Sequence, residues 1–93
     1  MLLKPRGGMI GVRDGSSYER AIHIETEDEN EQLAREYQWM QESLPGSTLK
    51  RQELHRYYGR HFDVLYYGKR FRRKRKVYFD ISASFGKDDK WKI

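Results

Sequence analysis

Seven of the eight residues in positions 69–76 are Lys or Arg, and only Phe71 breaks the sequence KRFRRKRK. Cations packed this densely repel one another unless they are fully hydrated or face an anion. The chemistry they suit is phosphate binding, which needs little beyond Lys and Arg within reach, with Arg also able to stack on bases. Tyr66, Tyr67, Phe71 and Tyr78 flank or interrupt the run, and rings beside cations are what a single strand stacks upon. The candidate nucleic-acid contacts are therefore Lys69, Arg70, Arg72, Arg73, Lys74, Arg75 and Lys76 on phosphates, with Phe71 and Tyr67 as stacking platforms. Two plainer readings stand beside this one. The run can be a solvated hairpin tip, or it can meet the acidic residues at 27–31 within the same chain. An acidic protein is the alternative partner.

Two other sets of residues have chemistry to offer. Asp63 and Asp80 sit inside apolar runs and could face each other across a hairpin, as the paired carboxylates of glycosidases do. Strand alternation alone accounts for both positions, however, and leaves them as hydrogen-bond acceptors on the outer sheet face. His55 and His61 flank Tyr58-Gly59, which resembles a two-residue hairpin turn. Such a turn sets the two imidazoles on opposite faces, whereas a metal needs three or four ligands converging on one. Neither a Gly-rich nucleotide loop nor a metalloprotease or nucleophile-elbow pattern occurs. The expectation is a binding module, not an enzyme, with no metal and no cofactor.

Those residues must be positioned by a small domain. Ninety-three residues fit one domain, and 14% aromatics argue against disorder despite 35% charged residues. Phe62, Val64 and Tyr66 alternate with His61, Asp63 and Leu65 over 61–67, and Val77, Phe79 and Ile81 alternate with Tyr78, Asp80 and Ser82 over 77–82. Alternation of period two predicts two strands, antiparallel neighbours joined by the basic connection. Residues 20–25, RAIHIE, predict a short strand with Ile22 and Ile24 on one face. A helix should start at Thr26 or Asp28, draw its acidic first turn to the positive end of the macrodipole, and run to about residue 44. Leu33, Tyr37, Met40 and Leu44 fall on one stripe at spacings of four, three and four, and Trp39 covers its edge. Pro45-Gly46 ends it. Residues 48–58 read as a strand leading into the turn, with a second short helix as the alternative.

The fold class expected is α+β, in β-α-β-β-β order, with one helix packed on an antiparallel sheet. Residues 1–17 read as a flexible leader with an Asp14-Gly15 turn, 18–87 as the domain, and 88–93 as a charged tail; Met9 is a second candidate start.

Net charge divides sharply along the chain. Residues 1–46 hold 5 Lys/Arg against 9 Asp/Glu, and residues 47–93 hold 14 against 5. That asymmetry points to an acidic partner for the second half, or to two halves that partly neutralise each other. No apolar run approaches the ~18 residues of a membrane span, and no signal-peptide pattern opens the chain. The absence of cysteine fits a reducing cytoplasm.

Several short motifs add a resemblance. Asp14-Gly15-Ser16-Ser17, Ala21-Ile22-x-Ile24, Glu36-Tyr37-x-Trp39, Gly59-Arg60-x-Phe62-Asp63-Val64, Tyr78-Phe79-Asp80-Ile81-Ser82 and Phe85-Gly86-Lys87 follow one another in order. Together they resemble a set of small uncharacterised bacterial proteins. The resemblance implies a bacterial or phage origin and no activity, and the basic run is not part of it.

Overall fold

The computed structural model describes residues 13–68 and 75–85. Its elements are β1 (Ile22–His23), α1 (Glu29–Ser43), β2 (Thr48–Tyr57), β3 (Arg60–Gly68) and β4 (Arg75–Asp80). The order β-α-β-β-β is the expected one, and the strands form one sheet in the sequence β1-β4-β3-β2.

Each helix end has a local cause. Asp28 caps α1 by accepting the backbone N–H groups of Asn30 and Glu31, and Glu29 and Glu31 occupy the positive first turn. Gly46 follows Pro45 with a φ of 83°, which lets the chain turn sharply toward β2.

Residues 48–57 are strand, not helix, and Tyr58 and Gly59 at φ values of 50° and 75° form the two-residue turn to β3. Pairing of Tyr57 with Arg60 then fixes the β2–β3 register up to a bulge between Leu49 and Arg51.

The sheet is mixed, which corrects the expectation of an antiparallel one: β1 pairs with β4 in parallel, Ile22 opposite Phe79. The reason is in the connections. Helix α1 returns the chain to the end where β1 began, so β1 and β2 run the same way. Two hairpins then bring β4 parallel to β2, and a strand placed beside β4 must share its direction.

The two sheet faces bury different things. On the helix side lie Ile24, Met40, Leu65, Val77, Phe79 and Ile81, with Trp39 edge-on to Phe79 at 5.6 Å. On the other side Ala21, Phe62, Val64 and Tyr78 are covered by Tyr18, Tyr57 and Tyr66. Residues 13–17, assigned to the leader by sequence, lie against β4. Gly15 donates to the Arg20 carbonyl and accepts from the Tyr78 N–H, and a Cβ there would clash with Val77 Cγ2.

The helix stripe needs correction too. Met40 is buried and Leu44 half-buried, but Leu33 and Tyr37 are 36% and 47% exposed. The inward face is instead Gln32, Glu36 and Met40. Polar groups can occupy it because hydrogen bonds satisfy all of them but Glu36 Oε1. Ser84 Oγ donates to Gln32 Oε1 at 2.8 Å, Gln32 Nε2 donates to Glu36, and Gln52 Nε2 donates to both oxygens of Asp63 at 2.9 and 2.7 Å.

Candidate nucleic-acid interface

The end of the sheet from which the basic run leaves is a layer of rings and cations. β-Register places Arg51, Tyr66 and Lys76 side by side on adjacent strands, so their side chains share one face. The Arg51 guanidinium carbon lies 4.6 Å from the Tyr66 ring centroid, and Lys76 Nζ lies 5.8 Å from the same centroid and 5.6 Å from that of Tyr78. All three distances fall within the range of cation–π attraction. Interaction with Tyr78 holds the Lys76 ammonium above the ordinary lysine pKa, so it stays charged.

Glu53 fixes this layer from beside. One of its oxygens accepts from the Tyr66 hydroxyl at 3.0 Å and contacts His55 Nε2 at 2.9 Å, and the other pairs with Arg51 Nε at 3.0 Å. His55 is anchored in turn by the Tyr18 hydroxyl, 2.7 Å from Nδ1. Hydrogen bonds from His55 and then Tyr66 pull the Glu53 carboxyl below the usual range, which keeps it anionic beside Arg51.

Alternation sends the neighbouring residues to the helix side. Tyr67 pairs with Arg75, and together with Trp39, Val77 and Ser16 they line an open cleft of about 610 Å³. The base of the hairpin thus presents a ring and a cation on each face.

Of the residues that sequence assigned to phosphate and base contact, Tyr67 and Arg75 lie on the helix side of the hairpin base and Lys76 on the other side. Arg75 and Lys76 belong to β4, so the connection is shorter than the expected 69–76. Lys69, Arg70, Phe71, Arg72, Arg73 and Lys74 lie outside the described residues. Two participants had no sequence signal of their own. Arg51 reaches Tyr66 only through the β2–β3 register, and Trp39 lines the cleft only because the helix packs on this side of the sheet.

The carboxylate pair does not form. Asp63 stands opposite Phe79 and Asp80 opposite Phe62, one residue out of step, so the two point to opposite faces. Asp80 is held by Arg60, Nε to Oδ2 at 2.6 Å, and by the Ser82 N–H at 3.0 Å. Burial works against its ionisation, yet these hydrogen bonds and the Arg60 charge bring its pKa below the usual value.

Asp63 instead neighbours Glu36, whose buried Oε1 has no hydrogen-bond partner of the ordinary kind. Burial, then the adjacent Asp63, pushes the Glu36 carboxyl up to about 9. It is therefore protonated at neutral pH and can offer its proton to Asp63. His55 and His61 fall on opposite faces as the turn requires, and His61 stacks on Phe85 at 3.8 Å. No group of three metal-ligating side chains occurs among the described residues.

No family model, no curated protein and no solved structure matches this chain. Among the described residues no helix is long and apolar enough to cross a membrane.

Proposed function

We propose that this chain is a small non-enzymatic module that binds nucleic acid through the phosphate backbone, using the hairpin between β3 and β4. The observation that supports the reading most is the placement of Arg51 and Lys76 over one ring, Tyr66, at the base of that hairpin. The sequence between the two strands adds Lys69, Arg70, Arg72, Arg73 and Lys74, with Phe71 among them. Cations beside rings suit a single strand: the cations follow its phosphates while bases stack on the rings. Phosphate contacts carry no sequence information of their own, so the binding has little sequence preference. The absence of cysteine suits a reducing, cytoplasmic setting.

Salt dependence tests it. Fluorescence anisotropy with a labelled single-stranded oligonucleotide should give an affinity that falls steeply with salt, by about 0.7 logarithmic units per tenfold salt for each phosphate neutralised. Replacing Arg72, Arg73 and Arg75 together by Gln should flatten that slope by roughly 2 for a single strand, and by up to about 3 for duplex DNA. Equal and weak binding by wild type and triple variant at low salt would overturn the proposal. An acidic protein would then be the partner of these cations.

A further inference from the structure

β2 is the long outer strand of the sheet, and among the described residues its free side is bare: no backbone hydrogen bond outside its ladder with β3 reaches residues 48–57. The pair Tyr57 and Arg60 closes a two-residue turn and is therefore hydrogen-bonded. Alternation from that pair directs the amide and carbonyl groups of Gln52, Leu54 and Arg56 away from β3, along the outer edge. Such an edge is ordinarily blunted by a bulge, a lysine or a proline. Here the bulge and the lysine both sit at Lys50, which leaves residues 51–57 regular and open.

We propose that this segment pairs antiparallel with the same segment of a second copy, about a twofold axis at Leu54, so that two four-stranded sheets become one. The inference does not depend on the nucleic-acid reading. Full overlap of the regular stretch, from the bulge to the turn, requires Leu54 opposite Leu54. In that register Glu53 meets His55 of the second copy, Gln52 meets Arg56 and Arg51 meets Tyr57, and each contact occurs twice. No like charges stand opposite one another. A shift of one pleat toward Thr48 would set Glu53 against Glu53, and a shift the other way would set His55 against His55 and run the turn into the ladder.

The side chain at the axis is apolar and 58% exposed, and it shares an open cleft with the exposed Leu33 and Phe85. Pairing would bring the apolar patches of both copies together across the axis. The outward groups of Gln52, Leu54 and Arg56 supply about six backbone hydrogen bonds, since each hydrogen-bonded pair exchanges two. One strand a side is small beside the ~1,200–2,000 Å² of standard interfaces. The dimer is therefore concentration-dependent.

Sedimentation over a concentration series should show wild-type chain passing from monomer to dimer. Leu54→Lys and Leu54→Glu, each placing like charges at the axis, should remain monomeric with unchanged circular dichroism, and their equimolar mixture should dimerise again. Because the chain has no cysteine, a single thiol reports the register. Leu54→Cys should cross-link with itself on mild oxidation, since the ~5.5 Å Cα separation of a hydrogen-bonded pair suits a disulfide. Gln52→Cys should cross-link with Arg56→Cys but not with itself. A wild type that stays monomeric at its highest soluble concentration, with Leu54→Cys uncross-linked, would overturn the proposal and leave the edge to a strand from a different protein. A dimer that survives Leu54→Lys would overturn it as well, by placing the contact elsewhere.

Discussion

Replacing Glu36 by Gln should stabilise the protein at neutral pH and remove most of its loss of stability toward alkaline pH. Glu36 is fully buried, and its carboxyl rises from an ordinary value of 4.5 to about 9, first through burial and then through Asp63. Folding therefore takes up a proton at any pH between those values. The sign follows: a raised pKa leaves stability complete below 4.5, erodes it as pH rises, and levels off above about 9. One proton corresponds to ~1.4 kcal/mol per pH unit. Over the two and a half units from 4.5 to pH 7 the loss is roughly 3 kcal/mol.

Gln cannot ionise, yet its amide group can donate to Asp63 while its carbonyl accepts from Gln32, so both hydrogen bonds survive. Urea unfolding followed by tryptophan fluorescence at a series of pH values measures the difference. Glu36→Gln should equal wild type near pH 4 and exceed it by up to roughly 3 kcal/mol at pH 7. Glu42→Gln, on the exposed side of the helix, is the control and should follow wild type. Parallel curves for Glu36→Gln and wild type, or a variant less stable at pH 8, would show that Glu36 is not protonated in the fold.

Met40→Ala should cost about 2–5 kcal/mol in the same assay, because Met40 is the apolar member of the buried helix face. Leu33→Ala should cost far less, since Leu33 borders the open cleft. Gly15→Ala should destabilise by roughly 1–3 kcal/mol, through its positive φ and the clash with Val77. Tyr58→Asn should gain a few tenths of a kcal/mol by suiting the left-handed first position of the turn, with little lost because Tyr58 is 88% exposed. Arg60→Gln should raise the pH of acid unfolding: the depressed Asp80 pKa gives stability that is present above 3.8 and lost as pH falls, and Arg60 helps to depress it.

Residues that act locally were legible in the sequence. Asp28, Pro45-Gly46 and Tyr58-Gly59 determine where the helix begins, where it ends and how β2 meets β3, and each works through its own backbone geometry. Alternation likewise exposed β3 and β4. The buried helix face was not legible, because hydropathy counts Leu33 and Tyr37 as core. Burial of Gln32 and Glu36 depends on Ser84 and Asp63, which only the fold brings near. The parallel pairing of β1 was implicit in a strand, helix, strand order but needed its position beside β4. Of the candidate site, the charge was legible. The role of Arg51 was not, since it arises from a register that the bulge at Lys50 alters.

The most direct test of nucleic-acid contact is an amide chemical-shift titration of isotope-labelled protein with a short single-stranded oligonucleotide at low salt. Shifts should concentrate at Arg51, Tyr66, Tyr67, Arg75 and Lys76 and shrink as salt is added. No shifts at these amides, or shifts confined to the cleft of Leu33, Leu54 and Phe85, would contradict binding through the hairpin.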